Sequence, residues 1–190
     1  MIDHPPTALQ EIEFAQISRK LLACDPDFIS DSGATVHTIV IHNQDETETL
    51  GRRLGEMLFP GAVVALVGQL GAGKTLLVRA IAVGLGMVNV DAVSSPTFVL
   101  IQEYNARLPI YHFDAYRLIG ADELLGLGVH EYFESSGVSL VEWADKVRSA
   151  LPKEYLEISI DITGEESRRV EMIAHGTRYE AIAAALSKTC

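Results

Sequence analysis

The sequence predicts an α/β fold: a mixed sheet, parallel at its centre and antiparallel at its edge, with helices on both faces. Three observations carry this. Strand and helix patterns alternate from residue 36 to about residue 133, then give way to a strand-rich tail. The run "AVVALV", residues 62–67, is apolar without alternation, as a strand covered on both faces must be. A glycine-rich loop, "GQLGAGKT", follows that strand directly and opens a helical pattern.

The elements follow in order. Residues 1–34, with Pro5, Pro6 and Pro26, read as an N-terminal extension, partly ordered, in which "EIEFAQISRKLLA" could form one helix. The domain proper is expected over residues 35–190. "VHTIVI" reads as a strand. Asp45 and Glu48 are expected to begin a helix whose apolar side is Leu50, Leu54, Met57 and Leu58. Pro60-Gly61 is a turn, "AVVALV" the buried strand. Leu76, Leu77, Ala80, Ile81 and Leu85 mark the helix after the glycine loop, ending near Gly84 and Gly86. "FVLIQEY" and "IYHFDAY" read as strands, with Phe98, Phe113 and Leu140 as core. A helix is expected over about residues 121–133, weakened by Gly126 and Gly128. "VSLVEW" is a strand, and "LEISIDI" and "RRVEMIA" form a hairpin about the polar residues 163–167. Thr177 and Glu180 suggest a capping box for a last helix, "RYEAIAAAL".

The chain has 190 residues, enough for one domain with a proper core. Its formal net charge of −11 argues against a free-standing nucleic-acid binder, which needs a basic face. Cys24 and Cys190 stand at opposite ends without metal spacing, which fits free thiols in a reducing compartment. There is no apolar run of the roughly 18 residues a membrane helix needs, and no signal-like start. A soluble cytoplasmic protein with no membrane partner is the expectation.

Gly68, Gly73, Lys74 and Thr75 fill the pattern G-x-x-x-x-G-K-[ST]. The glycines let backbone N–H groups of the loop turn toward phosphate oxygens. Lys74 reaches the β- and γ-phosphates, the Thr75 hydroxyl takes Mg²⁺, and the helix start adds its positive end. A nucleoside triphosphate with Mg²⁺ is the expected ligand, and Gln69, Leu70, Gly71, Ala72, Gly73, Lys74, Thr75 and Leu76 are its expected cradle. The fold class becomes a three-layer P-loop NTPase-like α/β fold.

Which P-loop chemistry is decided downstream. A GTPase should show N-K-x-D and none is present; Asp161 to Gly164 matches D-x-x-G only inside the late hairpin turn. A small-molecule kinase wants an arginine-rich lid, whereas Arg107, Arg117, Arg148, Arg168 and Arg169 are scattered. It stays open as an alternative, as does a nucleotide-gated binding module with little hydrolysis. "SSPTFVLIQEY" puts Thr97 where a switch threonine can reach Mg²⁺ or the γ-phosphate; a plain Ser-Pro turn reads equally well. Asp114 in "YHFDAYR" and Glu142 in "LVEWAD" both end strands. Acids at the C-terminal edge of strands beside a P-loop suit a metal and its waters. His112 fits a hydrogen-bonded strand histidine as well as a functional one.

Taken together, "GQLGAGKT", "SSPTFVLIQEY", "YHFDAYRL", "ADELLGLGVHEYF" and "LVEWADKV" strongly resemble the TsaE family (older name YjeE) from about residue 36 to the C-terminus. The resemblance implies a small ATPase of bacterial tRNA threonylcarbamoyladenosine modification. Such a protein works with a TsaB–TsaD complex, meets tRNA only through these partners, and hydrolyses ATP to support turnover without transferring the group itself. By position, Lys74 would hold phosphate, and Thr75 and Glu142 would be the Mg²⁺ ligands. Asp114 would serve hydrolysis, Thr97 would be the switch threonine, and Trp143 would lie beside the nucleotide. The adenine side is expected near residues 45–47 and 164–168. One departure is visible: Gln69 stands where many members carry an acid, so it brings hydrogen-bonding capacity but no charge.

Overall fold

The computed structural model describes residues 28–29 and 35–188. The helix expected over residues 11–23 lies outside the described residues, as does the rest of the extension apart from its residues 28 and 29. The strands are β1 (Phe28–Ile29), β2 (Thr35–Ile41), β3 (Val63–Val67), β4 (Ile101–Tyr104), β5 (Ile110–Asp114), β6 (Val138–Glu142), β7 (Tyr155–Ile162) and β8 (Arg168–His175). The helices are α1 (Gln44–Met57), α2 (Lys74–Gly84), α3 (Ala121–Gly126), α4 (Val129–Phe133) and α5 (Thr177–Ser187), with 3₁₀ turns at Val90–Ala92 and Ala144–Ala150.

Among the described residues, eight strands join one sheet in the order β1-β2-β8-β7-β3-β6-β5-β4. The centre, β7-β3-β6-β5, is parallel, and the pairs on either side of it are antiparallel. β3 is buried along almost all its length, which explains its unbroken apolar run. Leu50, Leu54, Leu77, Ile81, Tyr179 and Ile182 from α1, α2 and α5 pack on one face of the sheet. Leu124, Val129, Phe133 and Val147 cover the other. The result is the expected three-layer α/β arrangement.

α1 and α2 meet glycine to glycine. A Cβ at Gly55 would collide with the Ile81 carbonyl oxygen, and one at Gly84 with the Arg52 carbonyl oxygen. This close crossing seats α2, and with it the start of the P-loop helix, directly over the parallel strands.

Four local expectations are corrected. The N-cap of α1 is Asn43, whose Oδ1 accepts from Glu46 N at 2.9 Å while Glu46 Oε2 accepts from His42 N at 2.8 Å. The amide side chain wins because Asn43 sits two residues nearer the strand end than Asp45, directly before the helix. The strand after the P-loop helix begins at Ile101, not Phe98. Residues 96–100 turn instead, with Leu100 at φ 66, so Phe98 is 82% exposed rather than core. The expected helix over residues 121–133 is two helices, broken at Gly128 with φ 74. Lastly, Gly176 caps α5 without a side-chain bond, and Glu180 Oε1 instead accepts from Thr35 Oγ1 at 3.3 Å.

Candidate functional site

The P-loop leaves β3 at the C-terminal edge of the parallel centre. Gly68, Gly71 and Gly73 all have positive φ, up to 149° at Gly68, where an added Cβ would stand 2.6 Å from the Ile160 carbonyl oxygen. These glycines allow the loop to coil back over its own strand and deliver Lys74 as the first residue of α2. Lys74 is 5% exposed, and its ammonium donates to the Gly68 carbonyl at 2.6 Å and the Gln69 carbonyl at 3.0 Å. Burial lowers its pKa from the ordinary lysine value, while the negative charges of Glu142, Asp114 and Asp145 act in the opposite direction.

Opposite the loop, β5 and β6 end in register, with Asp114 paired beside Glu142. Both carboxylates are buried. Glu142 Oε1 accepts from Thr75 Oγ1 at 2.8 Å and from His112 Nε2 at 2.9 Å. Asp114 Oδ1 accepts from Tyr116 N at 2.9 Å, and its Oδ2 accepts from Thr97 Oγ1 at 2.8 Å and from Ser95 Oγ. The two hydroxyls also lie 2.6 Å apart. Two hydroxyl hydrogens thus serve three contacts, so the cluster shares its donors rather than satisfying each acceptor separately.

After Glu142 the chain leaves the strand abruptly. Trp143 adopts φ 58, a left-handed conformation unusual for a residue other than glycine. That turn brings its ring under Lys74, whose Nζ lies 3.7 Å from the ring centroid, and against Tyr116 at 4.9 Å.

These groups surround a cleft of about 500 Å³. Of the residues expected from sequence to form the site, Leu70, Gly71, Gly73, Lys74, Thr75, Leu76, Thr97, Asp114, Glu142 and Trp143 line it. Gln69 and Ala72 do not. Gln69 is exposed and takes part through its carbonyl, which also accepts from Ala72 N at 3.1 Å. Ala72 is buried, and its carbonyl accepts from Arg168 Nε at 3.0 Å, tying the β7–β8 turn to the loop. The adenine-side expectation is not drawn together here: residues 45–47 and 164–168 do not line the cleft. Ser95 and Tyr116 line it and were not singled out from sequence. The signal for Ser95 was its place two residues before Thr97. For His112 it was the strand period that puts it on the same face as Asp114.

The donor set fits a hard divalent cation. A threonine hydroxyl and one carboxylate, with the other positions left to phosphate and water, suit Mg²⁺. Among the described residues no group of three or more His, Cys, Asp and Glu could hold a metal by itself. No described helix is long and apolar enough to cross a membrane.

Comparison with known proteins places the chain. The family model described as "Threonylcarbamoyl adenosine biosynthesis protein TsaE" matches residues 41–170. The tRNA threonylcarbamoyladenosine biosynthesis protein TsaE of Bacillus subtilis is 43% identical over 147 residues, covering 77% of this chain and 90% of that protein. Its namesake from Haemophilus influenzae is 37% identical, covering 72% and 89%. The crystal structure of Bacillus subtilis YdiB superposes with a TM-score of 0.70 at 37% identity, covering 82% of this chain and 96% of that one.

Proposed function

The chain belongs to the TsaE family of threonylcarbamoyladenosine biosynthesis proteins, and on that premise we propose that it is a Mg²⁺-dependent ATPase whose hydrolysis supports turnover of a TsaB–TsaD threonylcarbamoyl-transfer complex. The observation that carries the reading is the convergence of Lys74, Thr75, Thr97, Asp114 and Glu142 on one cleft at the ends of the parallel strands.

Each residue has a task its geometry supports. Lys74, now spending its hydrogens on the loop's own carbonyls, exchanges them for β- and γ-phosphate oxygens. Thr75 and Glu142 would hold Mg²⁺, which when bound neutralises phosphate charge and orients the oxygens to be displaced. Asp114 orients the attacking water. Thr97 and Ser95, both bonded to that carboxylate, leave or keep it according to whether a γ-phosphate is present. Trp143 closes the floor beneath the Lys74 ammonium.

Partner use has its own support. Leu70 and Tyr116 at the mouth are exposed, and Phe98, next to Thr97, is 82% exposed with Arg117 over its ring at 4.5 Å. Apolar side chains offered to solvent beside a site invite a protein surface. The net charge of −11 leaves tRNA contact to the partners, since phosphate-backbone binding is mainly electrostatic. The chain would act in the cytoplasm.

The deciding experiment is phosphate release by the full chain with and without purified TsaB and TsaD, alongside a pull-down with ATP present and absent. Release that rises with partners and disappears in Lys74→Ala is expected. No association under either condition removes the proposal, and phosphate transferred to a metabolite in place of water would establish a kinase instead. Gln69→Glu in the same assay tests whether the missing loop charge slows hydrolysis.

A further inference from the structure

His112 is fully buried on β5, two residues before Asp114 and on the same face. Its strand neighbour across β6 is Leu140, and Tyr104 lies against its ring with centroids 6.4 Å apart. The face below it is apolar, built from Ile110, Val138 and Leu140. The imidazole thus stands between these apolar residues and the Glu142 carboxylate. Its Nδ1 has no hydrogen-bond partner. A buried polar atom left unpaired costs free energy that an aliphatic side chain at this position would avoid. Something must offset that cost, and among the described residues the imidazole's one hydrogen-bond contact is Nε2 to Glu142 Oε1 at 2.9 Å.

A carboxylate only accepts, so Nε2 carries the hydrogen. Thr75 Oγ1, on α2, donates to the same oxygen at 2.8 Å. Both bonds fall on Oε1, and no described residue donates to Oε2. The carboxylate is thus clamped through one oxygen while the other is left for a ligand. Thr75 has a second demand on it, since its oxygen lone pairs also face the cation while its hydrogen goes to Glu142. His112, fully buried, is the contact to Glu142 that has no other ligand to serve.

We propose that His112 is a positioning residue that fixes the Glu142 carboxylate for the nucleotide's divalent cation through its Nε2–H. This rests on the reading of Glu142 as a Mg²⁺ ligand. Groups that orient a ligating carboxylate typically govern metal affinity by about 10–100-fold.

The test is ATP binding by the full chain, followed by Trp143 fluorescence or calorimetry, across a Mg²⁺ titration and in its absence. His112→Phe keeps a ring and removes the donor. The Mg²⁺ concentration for half-maximal tight binding should rise about 10–100-fold, with Mg²⁺-free ATP affinity unchanged. His112→Gln, whose Nε2 reaches about as far as the imidazole Nε2, should restore most of the loss. If His112→Phe does not fold, His112→Asn, too short to reach Glu142, takes its place with the same expected shift. A folded donor-less variant with the wild-type Mg²⁺ midpoint overturns the inference. So does an equal loss of affinity with and without Mg²⁺, or a glutamine variant no better than phenylalanine. If wild type itself binds ATP no more tightly with Mg²⁺, the assignment of Glu142 fails first and takes this inference with it.

Discussion

The two acids of the cleft stand side by side on neighbouring strands, yet they are held by different kinds of structure. Glu142 is gripped by Thr75 on α2 and by His112 inside the core, both on rigid elements. Asp114 is gripped by Ser95 and Thr97, which ride on the turning segment ahead of β4 whose next residues, Phe98 and Val99, are exposed. One flank is built into the sheet; the other depends on a loop. A cation site gains from fixed ligands, whereas a sensor of the γ-phosphate needs a part that can change partners. Under the proposed function, this difference would give binding to the Glu142 flank and response to the Asp114 flank.

The largest effect that would break this division is expected at Asp114. Asp114→Asn should lower the rate of phosphate release about 10²–10⁴-fold with ATP and Mg²⁺ affinity little changed, measured as single-turnover hydrolysis beside equilibrium binding. A binding defect as large as the rate defect would merge the two flanks. Lys74→Ala comes next and belongs to both, since the ammonium feels both carboxylates. It should cost about 2–5 kcal/mol of ATP binding by calorimetry. Glu142→Gln should weaken only the Mg²⁺-dependent part of ATP affinity, about 10–100-fold, and leave metal-free binding alone. Ser95→Ala sharpens the contrast at a smaller scale. Loss of one donor to Asp114 is worth about 0.5–1.5 kcal/mol, and hydrogen exchange should accelerate in residues 94–100 but not in β6.

The smallest effect concerns the scaffold beneath both flanks. Burial raises the pKa of Tyr179, whose Oη accepts from Val63 N at 2.8 Å at the start of β3. The unfolded chain ionises near the ordinary value of 10.0 while the folded chain keeps the proton. The contribution is complete below that pH and is lost as pH rises through the elevated folded value. Thermal stability should fall on the alkaline side of pH 10, and less steeply in Tyr179→Phe. Altered nucleotide binding in that variant would show that the scaffold and the flanks are not separable.

The difference between the flanks also explains what was legible in the sequence. The P-loop could be read because its parts are contiguous: glycines, lysine and threonine act where they stand. Asp114 and Glu142 could be read because strand ends beside a P-loop are a general location for such acids. Ser95 could not, since its role exists only where the loop folds back on β5. Phe98 was misread for a related reason. "FVLIQEY" has strand composition throughout, but a left-handed Leu100 and the pull of Asp114 on Ser95 and Thr97 hold its first residues outside the sheet. At α1 the local preference of Asp45 gave way to Asn43, whose side chain meets Glu46 N. His112 was visible as a residue but not as a contact, because its partner lies thirty positions away.

The register of Asp114 with Glu142 has a consequence for how this chain can change length. Adjacent strands stand about 4.8 Å apart, and their side chains alternate faces. One residue gained or lost within β5 or β6 would therefore move an acid along the strand and turn it to the far face of the sheet. The segments joining those strands carry no such constraint. A residue added in the turn at 134–136 would leave the pairing of β5 with β6 intact, so the site depends on the length of these two strands and not on the length of chain between their acids.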